Sequence, residues 1–143
     1  MQRGFTLIEL LLVIGIIAIL AAIVIVAINP TKQLSDARNA QRRADVNTIL
    51  NAVSQYGIDH GGTLPSGITS TPTEICKSGV DVDCKGLVNL NALTGSYVLS
   101  IPNDPETATE TSTKYVISKE ASGKKVTVGA PSAEAGMMIS VTH

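Results

Sequence analysis

One acid in this 143-residue chain stands where an acid is costly. Glu9 lies just inside an apolar stretch that begins at Phe5, and behind it Leu10 to Ile28 form nineteen consecutive positions without a charged or polar side chain. An unpaired carboxylate in hydrocarbon costs on the order of 2.5 to 3.5 kcal/mol by insertion scales, so Glu9 calls for a compensating cation. The next basic residue downstream is Lys32, and upstream there is only Arg3. A cation could also be made locally, by freeing an α-amine close to Glu9.

Other residue types with chemical potential are few. Cys76 and Cys84 are the only cysteines, with seven residues between them. Beyond a membrane-length segment that spacing favours one disulfide; metal ligation is the weaker reading, because no Cys-x-x-Cys occurs and His60 and His143 are the only histidines. Two reduced thiols are the alternative in a reducing compartment. Lys32, Arg38, Arg42 and Arg43 make a basic stretch of the kind that holds DNA or phospholipid headgroups, yet Asp36 and Asp45 partly balance it, which favours a solvated or subunit-facing helix surface. Asp81, Asp83, Asp104 and Glu106 are oxygen ligands without EF-hand spacing, so no cofactor is expected and calcium is the minor alternative. No histidine pair, Gly-x-Ser-x-Gly elbow or phosphate loop is present, which argues against an enzyme. Eleven Lys and Arg against twelve Asp and Glu give a net charge of -1, and no specific nucleic acid is expected as a partner.

The elements that carry these residues divide the chain sharply. Of the residues 44% are hydrophobic but only 3% aromatic, so the apolar content is aliphatic and gathered at the start. As a helix, Leu10 to Ile28 is about 28 Å long, which matches a bilayer core of roughly 30 Å. A cleaved secretory signal has a shorter apolar core, about 7 to 15 residues, and no use for a carboxylate. Asn29-Pro30 ends the run, where a kink or local melting at Pro30 is expected. Beyond it, Leu34, Ala37, Gln41, Ala44, Thr48, Ile49, Ala52, Val53 and Tyr56 recur at spacings of three and four, predicting an amphipathic helix with a small-residue face. Arg38, Asn39, Arg42, Arg43, Asp45, Asn47 and Asn51 fall to its other side. Gly57 and Gly61-Gly62 stop it near Tyr56 to His60, so the helical stretch from Phe5 would run about 80 Å.

The remainder reads as a small head. Thr63 to Leu93 is expected to be an irregular loop. Tyr97 to Ile101, Lys114 to Ile117 and Lys125 to Val128 read as strands, with a hairpin turn over Glu120 to Lys124 and an edge strand within Met137 to Val141. Between the first two strands, Ile101-Pro102-Asn103-Asp104-Pro105 makes a rigid turn. The expected fold is α+β, a long N-terminal helix packed on a small antiparallel sheet, with boundaries at 1–4 (the residues ahead of the apolar stretch), 5–28 (membrane helix), 29–60 (amphipathic helix) and 61–143 (head).

Gly4-Phe5-Thr6-Leu7-Ile8-Glu9-Leu10, behind a short leader bearing Arg3, resembles the class III signal of type IV pilins and type II secretion pseudopilins. The resemblance implies cleavage between Gly4 and Phe5 by a prepilin peptidase, N-methylation of Phe5, and pairing of one subunit's Glu9 with the Phe5 amine of another. It further implies a single-pass protein of the cytoplasmic membrane, N-terminus inside, that an assembly ATPase and a platform protein extrude as a helical homopolymer. The product would be an extracellular pilus or a periplasmic pseudopilus. A proline-flanked aspartate like Asp104 follows the first strand in many members, whereas the glycine- and aspartate-rich calcium loop of major pseudopilins is missing here. A pilus subunit is therefore the first expectation and a type II secretion pseudopilin the second. From another class, a membrane-anchored binding module that does not polymerise is the alternative.

Overall fold

The computed structural model describes residues 4–79, 83–123 and 125–143, so Arg3, Asp81 and Lys124 lie outside the described residues. It divides into two compact units, Met1–Ser35 and Asp36–His143.

In the first unit, Leu7–Ile28 forms α1. Leucine, isoleucine and valine surround its whole circumference, and none of its residues is buried. Asn29 stops it by turning left-handed, φ 42° and ψ 76°, a conformation that asparagine tolerates better than most residues. The same Asn29 starts α2, Pro30–Asp59, because its Oδ1 accepts from the Lys32 amide at 3.3 Å. Pro30 thus occupies the first helical position, where its missing N–H is harmless. The interruption expected at Pro30 is a break at Asn29 between two separately capped helices.

From Asp36 onward α2 belongs to the second unit. Its buried positions are Asn39, Arg42, Asp45, Val46, Ile49, Leu50, Ala52, Val53 and Gly57. The expected helix face holds at Ile49, Ala52 and Val53, which are buried, and is corrected in its earlier turns. Leu34, Ala37, Gln41, Ala44 and Thr48 are exposed, and the inward seam runs up the helix through Asn39, Arg42 and Asp45 instead. Small and polar side chains give a weak hydrophobic period, and ion pairing set the seam where hydrophobicity did not.

Four strands, β1 (Thr73–Cys76), β2 (Ser112–Lys119), β3 (Val126–Ala130) and β4 (Ile139–Thr142), make an antiparallel sheet in sequence order. Tyr115, Ile117, Val126 and Val128 bury themselves with Val46, Ile49 and Val53 of α2, joined by Ile75, Val88, Leu90, Leu93 and Ile101. The strands expected around Lys114, Val126 and Ile139 are present. Two expectations fail. Tyr97 to Ile101 is not a strand: the amides of Tyr97 and Val98 both turn back to the Leu93 carbonyl, at 3.0 and 3.2 Å, behind a 3-10 turn at Asn91–Leu93. Nor is residues 63–93 wholly irregular, because it supplies β1. A disulfide does join Cys76 and Cys84, with S–S 2.02 Å, and closing so small a loop stabilises by about 2 to 3 kcal/mol in the entropic account.

The basic stretch is the larger correction. Arg42 is fully buried, its Nε donating to Asp104 Oδ2 at 2.7 Å, Nη2 to Asp104 Oδ1 at 3.2 Å and Nη1 to Glu134 Oε1 at 2.7 Å. Arg38 donates twice to Glu134, both at 2.6 Å. Asn39 pairs with the backbone of Glu134 in both directions at 3.0 Å, docking the β3–β4 loop on α2. On the neighbouring turn, Asp45 accepts from the buried Tyr115 hydroxyl at 2.7 Å and from Gln41 at 2.8 Å. Burial and then the Asp45 carboxylate push the Tyr115 hydroxyl well above its ordinary pKa. Only Lys32 and Arg43 of the four basic residues remain exposed.

Burial alone would raise the Asp104 carboxyl, but donation from Arg42 and from the amides of Thr107 and Glu106 holds it at about 2. A pKa below the unfolded 3.8 means a contribution fully present above about pH 4 and lost as pH falls through 2, worth about 2 kcal/mol. Glu74, lowered by the Ser112 hydroxyl and Lys114 against opposing burial, acts in the same direction. Thermal unfolding of the detergent-solubilised chain, followed by circular dichroism from pH 7 to 2, should show this acid limb. In Asp104→Asn the limb should shrink to the Glu74 part, with about 3 kcal/mol lost at pH 7 because Arg42 is left underpaired.

Candidate processing and assembly site

The head offers little that looks reactive. Ser54 and His143 line one open groove of about 510 Å³, but the Ser54 hydroxyl is spent on the Leu50 carbonyl at 2.8 Å within the helix. His60 stacks on Tyr56, ring centroids 3.9 Å apart. Asp104 and Glu106 face Arg42 and Arg38, and the Asp83 carboxylate accepts from the Lys85 amide at 3.1 Å. Among the described residues no group of three or more His, Cys, Asp or Glu is placed to hold a metal ion.

The start of α1 is different. Thr6 is its N-cap, with extended backbone at φ -80° and ψ 152°. The Thr6 amide and hydroxyl donate to Glu9 Oε2 at 2.9 and 3.0 Å, and the Glu9 amide approaches Thr6 Oγ1 at 3.3 Å. This reciprocal box satisfies helix-end donors that have no partner within the helix. Sequence reasoning missed Thr6 as a partner of Glu9. The signal was present, because Thr-x-x-Glu immediately before an apolar run is the local pattern of such a box.

A threonine cap supplies hydrogen bonds but no positive charge. Among the described residues Glu9 Oε1 has no partner. Phe5 projects freely at 81% exposure. At Gly4 an added Cβ would meet nothing within 4 Å among the described residues. Gly4, Phe5 and Glu9 thus share one short segment, while Pro30 and the Cys76–Cys84 pair lie elsewhere in the sequence.

An apolar, membrane-length helix with a capped acid at its head, together with a small α+β unit whose helix backs an antiparallel sheet, defines a protein of the pilin-like class. Residues 1–25 match the family described as the prokaryotic N-terminal methylation motif. The chain is 37% identical over 116 residues to the prepilin peptidase-dependent protein D of Escherichia coli K12, covering 73% of each. It is 29% identical over 130 residues to the type IV major pilin protein PilE of Neisseria gonorrhoeae, covering 91% of this chain and 68% of that one. Over 71 residues it is 37% identical to the type II secretion system core protein G of Escherichia coli K12, covering 48% of each. No solved structure matches it to a comparable standard. The chain belongs to the type IV pilin and type II secretion pseudopilin family.

Replacing Thr6 by Ala removes a cap worth about 1 kcal/mol, which is roughly a fivefold change in opening of the first turn. Amide exchange at Glu9, followed by NMR of the micelle-bound chain, should accelerate by about that factor. Exchange around Ala22 should not change.

Proposed function

We propose that this chain is a structural subunit of a type IV pilus or related filament, held in the cytoplasmic membrane until it is cleaved between Gly4 and Phe5 and polymerised through α1. One observation carries the reading: among the described residues the single charge of α1 meets neutral donors only, at the N-terminal end of a helix apolar all round. Cleavage after Gly4 would place a cationic amine on Phe5, four residues before Glu9. The new charge is too close in sequence to be ignored by its own Glu9, but Thr6 already occupies Oε2. Oε1 then offers a place for the Phe5 amine of a staggered neighbour. In low dielectric that contact is strong, and breaking it strands a charge at a cost of about 3 to 5 kcal/mol.

Methylation of the Phe5 amine keeps it cationic, so the pairing survives modification. A prepilin peptidase is the partner that would read Gly4, where the chain itself leaves open space. An assembly ATPase and a platform protein would supply the work of withdrawing α1 from lipid. The membrane topology is single-pass with the N-terminus inside. Association is driven by α1 helices packing together as they leave the bilayer, with no catalysis by the subunit and no cofactor. A pilus is favoured over a secretion pseudopilus because likeness to the major pilin extends over 91% of this chain, against 48% for the secretion protein.

Two variants separate this reading from a membrane-anchored binding module. Glu9→Ala should insert in the membrane normally but reduce sheared extracellular filaments at least tenfold by electron microscopy; wild-type filament yield would sink the pairing argument. Gly4→Val should retain Met1 to Gly4 on the chain by N-terminal mass spectrometry, whereas the unaltered protein begins at a methylated Phe5. An unprocessed N-terminus on the unaltered protein in its own cell would favour the anchor.

A further inference from the structure

β1 is one edge of the sheet, and a strand edge left bare is a template for pairing with another chain. Here the cover comes from the same chain. Val88 bridges Ile75 in parallel, its amide donating to the Glu74 carbonyl at 2.9 Å and its carbonyl accepting from the Cys76 amide at 2.8 Å. The Val88 side chain is buried beneath this contact and reaches toward Gly67. Past Val88 the segment is anchored by Leu90 and Leu93 in the core. Before it, the anchor is covalent. Cys84 begins a tight turn, closed by the Leu87 amide on the Cys84 carbonyl at 3.0 Å with Gly86 left-handed at φ 75°, and Cys84 is bonded to Cys76. The disulfide thus ties the cover to the very strand it covers, one turn away from the two hydrogen bonds.

Without that tie, residues 84–88 would have to stay ordered for two backbone hydrogen bonds and one valine, which is close to balance against the backbone entropy of five residues. The rest of the unit has ties of its own. β2, β3 and β4 are paired in full register, and the Arg42 cluster joins α2 to the loops at Asp104 and Glu134 without touching either cysteine.

We propose that the Cys76–Cys84 bond is a redox latch on the β1 edge: oxidised, it keeps residues 84–88 over the strand, and reduced, it releases them while the sheet and α2 remain folded. The reductant is a dithiol. One of its thiolates attacks Cys84, the less buried of the two cysteines, and its second thiolate closes on the mixed disulfide. Two electrons and two protons pass to the cysteines, which become thiols as the dithiol becomes a disulfide.

The test is hydrogen exchange on the full chain in detergent micelles, oxidised and after dithiothreitol, with Cys76→Ser/Cys84→Ser as the reagent-free equivalent. Protection of the Val88 amide should fall about 30- to 150-fold in both reduced and double-variant protein, the factor that loop closure predicts. Amides of Ile117 and Val128 should change by less than about threefold. Unchanged protection at Val88 would overturn the latch. A parallel loss at Ile117 and Val128 would overturn it too, by making the bond a staple for the whole unit.

Discussion

Arg42 carries a permanent charge with no access to water, and the second unit is arranged around keeping it paired. Taking a guanidinium out of solvent costs several kcal/mol unless its donors meet acceptors in good geometry. Asp104 takes two of those donors and Glu134 and Asn39 take another, so α2, the proline-flanked turn and the β3–β4 loop are all committed by one side chain. Each commitment recruits the next. The Asp104 amide donates to the Thr113 carbonyl at 2.9 Å, which ties the turn to β2, and the left-handed Lys114 that follows marks the irregular register between β1 and β2. A head with so few aromatic rings gains less from apolar area than most. The polar cluster adds directional hydrogen bonds that join three segments of the chain.

That cluster explains where reading the sequence succeeded and where it stopped. The apolar helix, the disulfide partners and three strands were legible because each has a local signal: length, cysteine spacing, or a β-branched run beside a turn. Arg42 had none. Its burial depends on Asp104 and Glu134, 62 and 92 residues away, and no local pattern announces a pairing at that distance. Once the pairing is known, the seam of α2 through Asn39, Arg42 and Asp45 follows at helical spacing. Tyr97 to Ile101 failed in the opposite way. Its composition suits a strand, but its amides were claimed by the preceding turn, leaving Leu99 exposed. β1 went unseen because four residues with a glutamate among them carry too little alternation to count.

At the start of α1 the acid itself was legible from its place in an apolar run, and its capping by Thr6 was not. The same electrostatic rule governs Glu9 and Arg42, with opposite outcomes. Arg42 finds opposite charges within its own chain and asks nothing of other molecules. Glu9 finds an amide and a hydroxyl on one carboxylate oxygen, and among the described residues no cation meets its charge. A carboxylate in that condition tolerates the edge of a bilayer and still gains by meeting a cation.

The helix that bears it supplies no other directional contact. Its leucine, isoleucine and valine side chains surround the axis, and hydrophobic burial has no preferred axial position. Two such helices could slide by a full turn, about 5.4 Å, with little change in the area they bury. A charge pair does not tolerate that slide. At low dielectric its attraction varies inversely with separation, so moving from about 3 Å to about 6 Å forfeits half of it. In the filament proposed above, one acid near the end of a surface this uniform would be enough to select a stagger.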